Sequence, residues 1–111
     1  MASAMASDDT LHRLEATIAA RRDADPASSY VAKLNAKGVK KIAQKLGEEA
    51  TETVIAALVE DRAALIGEAA DLLFHLVVLL DAKRVPLAEV LAELDRREGV
   101  SGIAEKAARQ P

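Results

Sequence analysis

An all-α fold is predicted by three observations. Half of the 111 residues are apolar, so the chain can bury a core. That apolar set is mostly Ala and Leu, which head the helix propensity scale, with Tyr30 and Phe74 as the only aromatics. Few stretches alternate polar and apolar residues as a half-buried strand would. The expected architecture is a compact bundle of about four main helices with short additional helices, in a single domain over residues 10–111.

The first helix is expected from about Thr10 to Arg22. Leu11, Leu14 and Ile18 form its apolar stripe, and Asp8 or Asp9 can cap it. Residues 1–9, MASAMASDD, read as a disordered leader. They lack the basic segment followed by an apolar one that marks a secretory signal. The segment DADPASS interrupts the pattern, and Ser28 or Ser29 can cap a short helix through Lys37. Gly38 then permits a turn or left-handed cap.

A long helix follows from about Val39 to Val59. Val39, Ala43, Leu46, Ala50, Val54 and Ala57 share one face, the expected core stripe. Glu48, Glu49 and Glu52 fall in a separate arc of about 100°, where they are expected to line a cleft without interrupting the core. The next helix, about Ala63 to Lys83, is apolar nearly all round, as a central bundle helix should be. Its exceptions, Glu68, Asp71 and His75, occupy an arc of about 60°. Pro86 suits the first turn of a fourth main helix through about Glu98, with Leu87, Val90, Leu91 and Leu94 as its packing face. Gly99 ends it, and Ser101 can cap a short terminal helix through Arg109.

Bulk properties exclude several function classes. A net charge of -3 argues against a nucleic-acid partner. The absence of cysteine removes disulfides, thiolate-bound zinc and iron–sulfur clusters. The apolar run Leu72–Leu80 contains His75 and is too short to span a bilayer, so no membrane partner is expected and the cytoplasm is the default location. The core is thin for a monomer, and self-association would supply the missing burial.

Chemistry concentrates in five carboxylates on two neighbouring helical segments. Glu48 and Glu52 are four residues apart, while Glu49 and Glu52, like Glu68 and Asp71, are three apart, spacings that share a helical face. An antiparallel hairpin with its turn at Glu60–Arg62 sets the two groups opposite each other. Converging acids repel unless protons or a cation compensate. Oxygen ligands without cysteine favour magnesium, with manganese as a substitute. Without a pair of Glu-x-x-His motifs, a di-iron bundle fits less well. The alternative is a solvated acidic face laced with bridges such as Lys45–Glu49. His75 reads either as a neutral histidine hydrogen-bonded in the core or as a substrate contact, ahead of a direct ligand role.

Basic residues accompany the acids. Lys33, Lys37, Lys40, Lys41 and Lys45 precede them, and lysine is a mobile point charge suited to polyphosphate. Lys40 reads as ordinary surface, and Lys41 is open between the two readings. Arg96, Arg97, Lys106 and Arg109 form a second set, where the start of the SGIAEKAAR segment can offer Ser101 and free N–H groups to phosphate. The candidate substrate contacts are Lys33, Lys37, Lys45, His75, Arg97 and Lys106.

These features together resemble the phosphoribosyl-ATP pyrophosphohydrolase family of histidine biosynthesis, within the all-helical nucleotide pyrophosphohydrolases related to MazG proteins and dimeric dUTPases. The superfamily pattern of two adjacent glutamates, a third three residues later and a downstream Glu-x-x-Asp matches Glu48, Glu49, Glu52, Glu68 and Asp71. The stretches SYVAKLNAKGVKKIAQKLGEEATE, GEAADLLFHLVVLL and SGIAEKAAR are more specific, and the resemblance covers about Leu11 to Arg109. Val31 with Asn35 is a mild departure, away from the acidic motif. The resemblance implies hydrolysis of 1-(5-phosphoribosyl)-ATP to the AMP compound and pyrophosphate, magnesium dependence, and a homodimer whose bundles assemble the active site. Competing expectations are a housekeeping nucleoside triphosphate pyrophosphohydrolase of the same superfamily and a non-enzymatic helical assembly module.

Overall fold

The computed structural model describes residues 2–100 and 102–109, with side chains at 10–100, 102–103 and 106–109. Among these are six helices and no strand: α1 (Ala2–Arg21), α2 (Tyr30–Lys37), α3 (Val39–Val59), α4 (Arg62–Ala82), α5 (Leu87–Arg97) and α6 (Gly102–Arg109). The all-α expectation holds. Ser101 and its expected capping role lie outside the described residues.

Local chemistry sets the boundaries. Ser29 accepts a hydrogen bond from the Ala32 N–H at 3.2 Å and so starts α2, a cap that contributes about 1 kcal/mol. Gly38, at φ 95°, ends α2 and begins α3, a backbone conformation that L side chains rarely adopt. Asp61 caps α4 through the Ala64 N–H at 2.9 Å. Only Glu60 and Asp61 separate α3 from α4, which forces the two to run antiparallel as one hairpin. Pro86 occupies the N-cap of α5 rather than its first turn. The first helix begins at Ala2 rather than Thr10, so Asp8 and Asp9 lie within it and not at a cap. Alanines at 2, 4 and 6 favour that extension.

α1 packs against α4 and α2 against α3, around the α3–α4 hairpin. Ile18, Val31, Leu34, Ile42, Val77 and Val78 form the core, with Leu14, Phe74, Leu79 and Ala82 against it. Each such aliphatic residue contributes about 1.5–3 kcal/mol when fully buried. Two polar ties fix the periphery. The Arg22 guanidinium donates to both Asp81 carboxylate oxygens at 2.9 and 2.6 Å, joining the end of α1 to α4. Glu15 accepts the Leu87 N–H at 2.7 Å and holds the start of α5 against α1.

The expected core stripe of α3 is corrected. Its buried residues are Ile42, Glu49 and Ala56, whereas Val39 and Val54 are exposed. The face that meets α4 lies roughly 100° round the helix from the apolar stripe. Glu49 therefore sits in the packed face, not beside it. Counted as a whole helix rather than over Leu72–Leu80, α4 is long and apolar enough to cross a membrane by length and composition alone. Glu68 and Asp71 lie well inside that stretch, where lipid would make carboxylates expensive, and its apolar surface is read as protein-facing.

Candidate metal centre

The α3–α4 hairpin creates the site. Its two helices turn their acidic arcs toward each other, so Glu49 from α3 meets Glu68 and Asp71 from α4. One carboxylate oxygen from each lies within 4.8 Å of the other two. Glu49 is 7% exposed, an unusual burial for an acid. Glu68 Oε1 is buried without any hydrogen-bond partner. A lone buried acceptor carries a desolvation cost of about 1–3 kcal/mol or more when charged.

The electrostatics have the same origin. Burial, then the charges of Glu52, Glu49 and Asp71, hold the Glu68 carboxyl above its ordinary value. The close approach of the Glu52 carboxyl raises it further. The donor set is all oxygen, drawn from two rigid helices, with an orphaned oxygen among it. A hard divalent cation fits these residues.

Three of the five expected ligands converge, and the other two stand differently. Glu52 is exposed at the rim beside Glu68. Glu48 is exposed and accepts hydrogen bonds from the Gln44 amide at 2.9 Å and the Lys45 ammonium at 3.2 Å. Those two bonds hold its carboxyl below the ordinary range. The ion pair on this surface is thus Lys45–Glu48 rather than Lys45–Glu49.

The basic candidates divide in the same way. Lys33 and Lys37 are exposed on α2, three and seven residues after Tyr30 and so toward its side of the helix. Arg97 donates to Glu93 at 2.9 Å, and Arg96 shares that carboxylate, which they hold down to about 2. Lys106 is exposed on α6. His75 has the geometry of the first of its two readings, a histidine hydrogen-bonded in the core. It is 6% exposed, with Nδ1 2.8 Å from the Asp71 carbonyl and Nε2 2.8 Å from the Tyr30 hydroxyl, so both ring nitrogens are already engaged.

Thr53, not among the expected site residues, stands beside the cluster. Its hydroxyl lies 2.8 Å from the Glu49 carbonyl and 3.1 Å from the Glu68 carbonyl, spanning the hairpin at the site. A threonine one helical turn after a candidate ligand was the available signal.

A family model described as phosphoribosyl-ATP pyrophosphohydrolase matches residues 11–98, a span that contains all five carboxylates. The chain belongs to the phosphoribosyl-ATP pyrophosphohydrolase family. Among its relatives, the phosphoribosyl-ATP pyrophosphatase of Novosphingobium aromaticivorans is 73% identical over 105 residues, covering 95% of this chain and 98% of the relative. That of Rhizorhabdus wittichii is 73% identical over 100 residues, covering 90% and 94%. That of Erythrobacter litoralis is 70% identical over 101 residues, covering 91% and 97%. In this chain the three-carboxylate cluster lies between α3 and α4, the two longest described helices, which pack directly on each other.

Proposed function

We propose that this chain hydrolyses 1-(5-phosphoribosyl)-ATP to 1-(5-phosphoribosyl)-AMP and pyrophosphate, the second step of histidine biosynthesis, in the cytoplasm. The observation that carries the mechanism is the convergence of Glu49, Glu68 and Asp71 around an unpartnered buried oxygen. These three would hold magnesium, with manganese as a substitute. Bound there, the ion supplies charge neutralisation of the triphosphate and polarises phosphorus for attack by water. Glu52, exposed at the rim, would complete the set and take the proton of that water. Lys45, between Glu48 and the cluster, meets the phosphates and stabilises charge on the departing pyrophosphate. Lys33 and Lys37 hold the outer phosphates, and Lys106 and Arg97 are secondary contacts.

The acting unit is a homodimer in this reading. Val54, Leu58 and Val59 near the end of α3, and Ile66 near the start of α4, are exposed at the same end of the hairpin. Leu58 is 76% exposed. Such clustered apolar surface calls for a protein cover.

Purified protein given phosphoribosyl-ATP and magnesium should release pyrophosphate and no monophosphate. Failure with that substrate, alongside robust turnover of a simple nucleoside triphosphate, would reassign it as a housekeeping pyrophosphohydrolase.

A further inference from the structure

The acidic cluster leaves one hollow of the molecule unexplained. Where α1 meets the end of α4 and the start of α5 lies an open cavity of about 370 Å³, within the size range of small-molecule sites. Asp81 on its wall follows Asp71 by ten residues, roughly 15 Å along the helix axis, so the cavity is separate from the carboxylate cluster. Ala16 and Ala19 of α1, with Val85 and Pro86 of the α4–α5 connection, give it an apolar wall. Glu15, Arg22, Asp81 and Arg84 supply its charges. Both Asp81 oxygens take protons from Arg22, so that pair neutralises itself. Arg84 donates from Nη1 to the Asp81 carbonyl at 2.9 Å, and its Nε and Nη2 have no partner among the described residues. Glu15 Oε2 accepts the Leu87 N–H at 2.7 Å, while Oε1 has His12 Nδ1 at 4.0 Å, beyond a hydrogen bond. The wall thus offers one open cation and one open anion.

The backbone at Arg84 gives its side chain a second claim to a role. The Arg84 N–H bonds to the Asp81 carbonyl at 3.0 Å, and the Val85 N–H to the Leu80 carbonyl at 2.9 Å, the pattern that closes a helix with a left-handed residue. Arg84 is that residue, at φ 58°, the one non-glycine with positive φ among the described residues. Glycine takes this conformation without strain, and arginine does not. The Asp81 carbonyl already accepts the Arg84 N–H, so the side-chain bond fills no empty acceptor there. Strain kept at a non-glycine in a cavity wall points to work done by its side chain.

We propose that this cavity binds a free α-amino acid with a compact aliphatic side chain: its carboxylate on Arg84, its ammonium on Glu15, and its side chain against the apolar wall. Charge complementarity selects the class. The four lining charges sum to zero, so a phosphate dianion would meet Glu15 and Asp81 without compensation. A simple amine or a simple carboxylate would leave one wall charge unanswered. A zwitterion answers both. The open Nε–Nη2 edge of Arg84 is the side of a guanidinium that grips a carboxylate through two parallel bonds, as Arg22 grips Asp81 beside it.

The test is a titration of the full-length protein with L-leucine, followed in ¹H–¹⁵N spectra. The amides of Ala16, Ala19 and Val85 should shift saturably, with half-saturation at about 10 mM or below, the affinity that a ligand of this size supplies at ordinary efficiency per atom. 4-Methylpentanoate, without the ammonium, and L-leucinamide, without the carboxylate, should each bind at least about tenfold more weakly. Arg84→Gly keeps the left-handed turn and should melt within a few degrees of wild type, because relief of strain and the freedom of unfolded glycine oppose each other. It should bind L-leucine at least about tenfold more weakly. Glu15→Gln keeps an oxygen for the Leu87 N–H and should lose binding at least about tenfold as well. Spectra without saturable shifts up to about 100 mM leucine would overturn the proposal. So would analogues that bind as tightly as leucine, or either variant binding as wild type does. A large fall in the melting temperature of Arg84→Gly would overturn the reading of its strained backbone as kept for a ligand.

Discussion

The Thr53 hydroxyl on α3 lies 3.1 Å from the Glu68 carbonyl on α4, and 2.8 Å from the carbonyl of Glu49 on its own helix. One small polar group thus ties together the backbones that carry two of the three converging carboxylates. A hydroxyl has a single proton, so it serves both carbonyls as a shared or alternating donor.

Thr53→Val preserves shape and removes that donor. The protein should lose about 0.5–1.5 kcal/mol of stability. Its affinity for manganese should weaken several-fold, because Glu49 and Glu68 are no longer held at one spacing. Thr53→Ser should restore both. Chemical denaturation and manganese titration of the three proteins check this, and equal manganese affinity in Thr53→Val would remove Thr53 from the site.

The raised Glu68 carboxyl fixes the sign of a pH effect. The folded protein binds this proton more tightly than the unfolded chain does. Its contribution to stability is therefore complete below the ordinary carboxyl range of about 4.3 and is lost as pH rises through the raised value. Without divalent cation, wild type should lose stability relative to Glu68→Gln as pH rises from about 4 toward neutrality. Magnesium should reverse the order at neutral pH, because the ion compensates the charge in place of the proton. Thermal melts of both proteins across that range, with and without magnesium, read the effect. The low-lying Glu93 is common to both proteins and cancels. A pH-independent difference between them would contradict the electrostatic account of the cluster.

Much of this architecture was legible in the sequence because its signals are local. Ser29, Gly38 and Asp61 bound their helices through their own side chains or backbone, and α3 spans Val39–Val59 as its periodicity indicates. The meeting of Glu49 with Glu68 and Asp71 followed from helical spacing plus a short turn. The packed face of α3 was not legible. Periodicity finds an apolar stripe but does not say whether the same chain covers it. Here Val39 and Val54 stay exposed, while the face with Glu49 and Thr53 turns inward. The Tyr30–His75 bond joins residues 45 apart in the chain, and no local pattern announces such a pair.

The uncovered stripe yields a prediction about assembly. Leu58→Glu places a charge on a side chain that is largely exposed in the single chain, so the fold itself should tolerate it. A dimer formed through this end of the hairpin should weaken by at least about tenfold, since buried unpaired charge costs several times RT. Sedimentation over a concentration series should show a dimer for wild type and a shift to monomer for the variant. Identical sedimentation would place the interface elsewhere.

In the proposed mechanism Glu49, Glu68 and Asp71 hold the divalent cation on which turnover depends. The most direct measurement is manganese binding, followed by its electron paramagnetic resonance signal, in wild type, Glu49→Gln and Asp71→Asn, with kcat for phosphoribosyl-ATP and far-ultraviolet circular dichroism on the same samples. Each variant should keep wild-type helicity, bind manganese at least about tenfold more weakly, and turn over at least about a hundredfold more slowly, as expected when one of three ligands is lost. Wild-type manganese affinity and turnover in both folded variants would contradict the claim.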